Sequence, residues 1–194
     1  MKRYALVLAG GRSRRMGRDK ATLRRPDGRT QLQHTLDLAR RFSDRAYLSR
    51  RSLPAEPPPA PVVVDRWPGQ GPLGAILSAQ LTQPHAEWLV LACDLPLLDA
   101  RTLERLLAGA SPEDAAVAFR SAFDGKPEPL CALYRPALRP ALQRAWAYDV
   151  RCPRKVLTAT GVRLLALPSP CALDNANTPA DWQASFPSQR HEAA

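Results

Sequence analysis

Gly10 and Gly11 are followed by Arg12, Arg14, Arg15, Arg18 and Lys20, five cations within nine residues. Glycine takes positive φ without penalty and has no Cβ to hold a ligand away, so paired glycine amides approach phosphate oxygens closely. The surrounding cations suit the charge of a triphosphate. Two familiar phosphate loops are excluded by spacing: five residues lie between Gly11 and Gly17 where GxxxxGK[ST] has four, Arg18 rather than Lys follows, and no GxGxxG is present. On charge alone a solvated surface turn would read the same way.

Two carboxylates stand where a ligand edge is expected. Asp65 follows Val62-Val63-Val64, and Asp94 follows Trp88-Leu89-Val90-Leu91-Ala92 and Cys93. Magnesium binds one or two carboxylates together with substrate phosphate oxygens and retained waters, and Asp94 fits that role. Asp65 reads either as a ligand contact or as a helix or turn cap. Transfer of a nucleotide between phosphates needs no general base, because the attacking group is already an anion; positioning and charge neutralisation carry the reaction. His34, His85 and His191 lie outside every motif and read as helix or surface residues. No Ser or Cys is bracketed by a base, which argues against a covalent mechanism.

The elements needed to position these residues follow from periodicity. Residues 3 to 8 read as a buried strand that feeds the glycine loop. Thr30 to Phe42 places Leu32, Leu36, Ala39 and Phe42 on one helical face, with Thr30 as N-cap. Arg45 to Ser49 and Val62 to Val64 are short strands, joined by a stiff connector holding Pro54, Pro57, Pro58, Pro59 and Pro61. Pro72 after Gly71 is a favoured first helical residue. Trp88 to Ala92 is a continuous apolar run of the kind found in strands covered on both faces, and Asp99 caps a helix through Leu107. Ala115 to Phe119 and Leu130 to Tyr134 flank the turn dipeptide Asp124-Gly125. Helices at Pro136 to Tyr148 and Pro153 to Thr160, the latter stopped by Gly161, precede a strand at Val162 to Leu167, and Thr178-Pro179 opens a last short helix. Alternation of this kind predicts an α/β fold, a mostly parallel sheet with helices on both faces and a small antiparallel excursion. Ligands of such sheets lie outside the carboxyl ends of the strands, so Asp65, Gly71, Asp94 and the opening loop are expected to converge.

A chain of 194 residues fits one domain over 1–194, with 184–194 expected as a disordered tail. No apolar run spans a bilayer and no signal peptide opens the chain, so a cytoplasmic protein without a membrane partner is expected. Cys93, Cys131, Cys152 and Cys171 are too scattered for a zinc site or disulfide framework and read as reduced, mostly buried thiols. The net charge of +10 is local: residues 1 to 51 hold 15 Lys/Arg against 4 Asp/Glu, or +11, leaving −1 elsewhere. Such a patch can serve nucleic acid, an acidic membrane or a phosphorylated small molecule. A nucleic-acid partner lacks support beyond charge: no binding motif occurs and aromatics are only 6% of residues, sparse for base stacking. The 24 Arg against 4 Lys also match the bias of a GC-rich genome.

Leu8-Ala9-Gly10-Gly11-x-Ser13-x-Arg15-Met16-Gly17-x-Asp19-Lys20 resembles the signature loop of the molybdenum cofactor guanylyltransferases, the MobA family. Later stretches resemble the same family in order: Asp65 with Gly71-Pro72-Leu73-Gly74, Cys93-Asp94-Leu95-Pro96, Pro129 to Tyr134, and Asn175-Ala176-Asn177-Thr178-Pro179. The resemblance implies a Rossmann-like nucleotidyltransferase fold and transfer of GMP from GTP to the terminal phosphate of molybdopterin, with Mg²⁺ as cofactor. It implies that Leu8, Ala9, Gly10, Gly11, Lys20, Asp65, Gly71 and Asp94 bind nucleotide, and that Arg15 and Lys20 stabilise the triphosphate and the leaving pyrophosphate. Asp94 would carry the metal, and Asn175 and Asn177 would face the acceptor. Molybdenum-insertion or molybdoenzyme-maturation proteins are the kind of protein partner it suggests. Within the family Ala-Gly-Gly in the loop goes with guanylyl transfer and Ala-Ala-Gly with cytidylyl transfer, so Ala9-Gly10-Gly11 favours GTP. Relatives often carry a nucleotide-contacting asparagine after the second strand, whereas Ser49 followed by Arg50-Arg51 stands near that place here. The competing enzyme reading is a related nucleotidyltransferase using CTP, or one acting on a sugar or alcohol phosphate.

Overall fold

A computed structural model describes residues 1–9 and 20–186, Lys20 through its backbone alone. The loop residues Gly10, Gly11 and Arg15 therefore lie outside the described residues, as does His191. Seven strands form one sheet: β1 (Arg3–Leu8), β2 (Arg45–Arg50), β3 (Val62–Val64), β4 (Glu87–Ala92), β5 (Ala116–Arg120), β6 (Pro127–Tyr134) and β7 (Arg163–Leu165). Their order is β3-β2-β1-β4-β6-β5-β7. β1 pairs in parallel with β2 and β4, β2 with β3, and β5 with β7, while β6 runs antiparallel to both β4 and β5. The antiparallel excursion is thus the single strand β6, entered through the Asp124-Gly125 turn, where Gly125 has φ +69°.

Six helices complete the described chain: α1 (Gln31–Arg41), α2 (Pro72–Thr82), α3 (Ala100–Ala108), α4 (Arg139–Ala147), α5 (Pro153–Thr160) and α6 (Pro179–Ser185). α1 and α3 cover one face of the sheet, where Leu36, Ala39, Leu103 and Leu106 pack with Val7, Leu89 and Phe119. On the other face α2, α4 and α5 bury Leu73, Ile76, Leu142, Val156 and Leu157 against Leu6, Trp88, Val90 and Tyr134. Every residue of β4 is buried, and its uninterrupted apolar run Trp88–Ala92 is what a central strand with helices above and below requires. α1 starts with a capping box: Thr30 accepts from the Gln33 amide while the Gln33 side chain accepts from the Thr30 amide. α5 stops at Gly161, left-handed at φ 62°.

Several sequence expectations are corrected. The helix expected over Pro136 to Tyr148 is a 3₁₀ turn at Pro136–Leu138 followed by α4, because Pro140 near the start of α4 lacks the amide that would join the two into one ladder. β6 begins at Pro127, three residues before the apolar run, since the first residues of a hairpin pair through backbone groups whatever their side chains. The thiols divide evenly: Cys93 and Cys131 are buried, whereas Cys152 and Cys171 are exposed. Cys152 is the N-cap position of α5, and Cys171 sits in a turn with its Sγ 3.2 Å from Ser169 Oγ. Among the described residues no helix is long and apolar enough to cross a membrane. α6 extends through Ser185, and most of the segment expected as a tail lies outside the described residues.

Candidate active site

The parallel strands β1, β2, β3 and β4 end at one edge, and the motifs lie there. Leu8 opposes Ser49 on one side and Ala92 on the other. The pairing continues one step past the strands, where the Cys93 amide donates to the Leu8 carbonyl at 3.2 Å, so Ala9 and Asp94 leave the sheet as neighbours. Asp94 is half-buried in the turn after β4. Its carbonyl accepts the Ala176 amide at 3.2 Å, which brings the Asn175-Ala176-Asn177 segment to the same turn although it lies some eighty residues downstream. Ala176 is buried, at 2% exposure, and its neighbours Asn175 and Asn177 are exposed. The small apolar residue therefore anchors the segment and leaves the two asparagines to project.

Asp65 occupies the next loop along the edge. Its amide donates to the Arg50 carbonyl at 2.8 Å, extending the β2–β3 pairing, and its Oδ1 accepts the Trp67 amide at 2.9 Å. Ser78 Oγ lies 3.4 Å from the same oxygen but 2.7 Å from the Gly74 carbonyl, and a hydroxyl has one proton, so the shorter contact takes it. Ser78 Oγ also accepts the Arg66 amide at 2.9 Å. One oxygen of Asp65 is thereby engaged as a turn cap, the alternative its sequence position allowed. Gly71 has φ 82° and ψ −177°, a region essentially closed to residues with a Cβ, and it delivers Pro72 to the first turn of α2. The N-cap residue Gly71 supplies no side-chain cap, so the positive end of the α2 dipole faces this edge with its backbone donors, the arrangement that suits phosphate.

The structure thus brings Leu8, Ala9, Asp65, Gly71, Asp94, Asn175 and Asn177 to one edge, and the backbone of Lys20 enters a 3₁₀ turn at Lys20–Thr22 from the glycine loop. Among the described residues no group of three or more His, Cys, Asp or Glu could hold a metal ion by itself. Asp94 offers a single half-buried carboxylate at this edge, a donor that suits a divalent cation otherwise held by substrate phosphates and water. His34 is an α1 residue whose Nε2 donates to the Leu98 carbonyl at 2.9 Å; burial holds its pKa below the usual imidazole value, partly opposed by that hydrogen bond. His85 is exposed. Neither is placed for chemistry.

Two groups of residues at this edge carried no sequence signal. Trp67 and Trp146 stack with ring centroids 4.9 Å apart, and the Arg151 guanidinium lies 3.9 Å above the Trp146 ring. A Cβ at Gly74 would meet Asp65 Oδ1 at 3.3 Å and Trp146 at 3.4 Å, so a side chain here would press on the Asp65 carboxylate and the Trp146 ring. The second group centres on Arg25 and the fully buried Gln31, whose partners are distant in sequence.

An open, mostly parallel sheet with a helix N-terminus and carboxylates gathered at the carboxyl edge is a Rossmann-like nucleotide-handling fold. The chain belongs to the MobA-like NTP transferase domain family, whose model matches residues 5–164, and it is accordingly an enzyme of the nucleotidyltransferase class. It is 38% identical over 189 residues to a probable molybdenum cofactor guanylyltransferase from Synechococcus elongatus, covering 93% of this chain and 96% of that one. A molybdenum cofactor biosynthesis bifunctional protein from Synechocystis is 34% identical over 182 residues, 92% of this chain; the chain spans about half, 52%, of that longer protein. In fold it is similar to the crystal structure of molybdopterin-guanine dinucleotide biosynthesis protein A from Archaeoglobus fulgidus, with a TM-score of 0.72 at 22% identity, covering 94% of this chain and 96% of that one.

Proposed function

We propose that this enzyme transfers GMP from GTP to the terminal phosphate of molybdopterin, forming the guanine dinucleotide and releasing pyrophosphate. The observation that carries the reading is the meeting, at the Asp94 turn, of the nucleotide half of the edge with the Asn175–Asn177 segment, in a chain whose near-full-length relatives are named guanylyltransferases. An oxygen of the acceptor phosphate attacks the α-phosphorus of GTP, a phosphoanhydride bond forms, and the bond to the β-phosphate bridging oxygen breaks. Both reacting groups are anions, so the chain's contribution is to hold them close and offset their charge. Arg15, Lys20 and the amides of Gly10 and Gly11 hold the triphosphate and receive the charge of pyrophosphate as it leaves. Leu8, Ala9, Asp65 and Gly71 shape the nucleotide pocket, and the α2 N-terminus adds donors. Asp94 holds a divalent cation, Mg²⁺ by its donor chemistry, which supplies positive charge to the phosphates when bound. Asn175 and Asn177 contact the acceptor. Working on soluble phosphorylated substrates, the enzyme requires neither nucleic acid nor membrane.

Base selectivity rests on Ala9-Gly10-Gly11, and the buried Ser49 beside Leu8 stands near the place of the expected asparagine. The test is a thermal-shift panel of GTP, CTP, UTP and ATP with Mg²⁺. A ligand at about 100 times its Kd stabilises by about 2.7 kcal/mol, so GTP alone is expected to raise the Tm visibly. Equal shifts with GTP and CTP would remove the guanine assignment.

A further inference from the structure

Arg25 lies between the glycine loop and α1, and its side chain is only 11% exposed. Its Nη1 donates to Gln31 Oε1 at 2.7 Å and to the Pro96 carbonyl at 2.8 Å. Gln31, fully buried, passes the contact on: its Nε2 donates to the Leu95 carbonyl at 3.2 Å. The two side chains together hold the carbonyls of Leu95 and Pro96, the residues that follow Asp94. The central carbon of the same guanidinium lies over the Phe186 ring, 4.9 Å from its centroid, and that ring packs edge-on against Trp182 at 5.1 Å. Phe186 is the C-cap of α6 (Pro179–Ser185), and its N-cap is Thr178, next to Asn177. Ala176 in turn donates its amide to Asp94.

These contacts close a circuit: from the Asp94 turn through Pro96 to Arg25, across to Phe186, back along α6 to Ala176 and again to Asp94. α6 needs such a circuit. It has seven residues, none of them buried, and a helix of that length does not persist in water on its own side-chain and backbone interactions. It is held at one end by Ala176 and at the other by Phe186 on Arg25. The circuit also suits arginine: a guanidinium offers several donors in one rigid plane, so the Pro96 carbonyl and Gln31 can be held while its central carbon stays over the ring.

We propose that Arg25 is a positioning residue that, with Phe186, fixes the Asn175–Asn177 segment against the Asp94 turn and so sets the acceptor side of the site relative to the nucleotide side. The catalytic consequence rests on the function proposed above; the linkage itself does not. Hydrogen exchange of the substrate-free protein separates the two. In Arg25→Met and Phe186→Ala, amides of residues 176–186 are expected to exchange about fivefold faster or more than in the wild type, with Phe186→Tyr unchanged. In steady-state assays the KM for molybdopterin then rises about tenfold in both variants while the KM for GTP stays within about twofold, a split that general loosening of the fold would not give. Should Arg25→Met fail to fold, Phe186→Ala, which removes the ring's contacts with Arg25 and Trp182 but leaves the carbonyl contacts of Arg25 in place, carries the test. Unchanged exchange overturns the proposal, and so do faster exchange with an unmoved acceptor KM and equal changes in both KM values. If exchange responds as expected but the wild type does not guanylylate molybdopterin, the positioning link stands and the functional reading fails.

Discussion

The two edges of the sheet handle charge in opposite ways. At the edge where the parallel strands begin, charged groups are satisfied by one another. Glu87, 5% exposed, receives Arg3 Nε at 2.7 Å and Arg135 Nε at 2.9 Å. Arg135 also donates to the carbonyls of Ser111 and Asp114, Arg163 pairs with Asp114 at 2.7 Å, and Arg139 donates to the carbonyls of Gln80 and Pro84. At the edge where those strands end, carboxylates and asparagines from three separate loops gather near the α2 N-terminus, whose N-cap, Gly71, has no side chain to close it. One edge is a closed network that contributes to folding. On the proposed function anionic ligands complete the other, and substitutions at the two edges are therefore expected to have different signatures.

The largest effect is expected on catalysis at the ligand edge. Lys20→Ala and Arg15→Ala remove charge that offsets the leaving pyrophosphate, and each is expected to lower kcat by about a hundredfold or more with the ligand-free Tm unmoved. Wild-type turnover in either variant, or an unfolded variant, would break the contrast. At the opposite edge Arg135→Met leaves buried Glu87 with Arg3 alone. It is expected to destabilise by about 3 kcal/mol, a fall in Tm of roughly 6–12 °C, while kcat of the folded enzyme is kept. Urea unfolding and assays on one preparation check both halves. A smaller, pH-dependent effect belongs to His34, between the two edges in α1. Its folded-state pKa lies below its unfolded value, so the unfolded chain binds the proton first as pH falls. Its contribution is complete above about pH 6.5 and declines below that until the folded-state pKa is passed. Unfolding midpoints of the wild type are expected to fall more steeply than those of His34→Gln across this window, and parallel profiles would refute the assignment.

Much of this contrast is legible in the chain itself. Asp65 and Asp94 follow apolar runs, and such runs become strands whose ends must lie on one edge once the alternation of strands and helices is recognised. Val62–Val64, the N-cap roles of Thr30, Asp99 and Thr178, and the stop at Gly161 follow from local chemistry alone. What is illegible depends on contacts far apart in sequence. Nothing near Gln31 marks it for complete burial, because the carbonyl that justifies it belongs to Leu95. Arg25 is one arginine among many, distinguished only by Pro96 and Phe186 closing on it. Glu87 reads as the polar start of a strand, and its burial is intelligible only when Arg3 and Arg135 arrive from β1 and the end of β6. The Trp67–Trp146 stack likewise joins a loop to a helix some eighty residues later.

The central claim, that Asp94 serves the reaction rather than the fold, is tested most directly by Asp94→Asn. Asparagine keeps the size and nearly all of the turn-capping ability of aspartate but not the charge that a divalent cation requires. Pyrophosphate release from GTP with molybdopterin, followed across a magnesium titration and paired with thermal melting of the same samples, reads both properties. The account predicts a rate at least about a hundredfold below wild type, only partly restored by excess magnesium, with a Tm within about 2 °C of wild type. A variant with wild-type rate and wild-type magnesium dependence would contradict it.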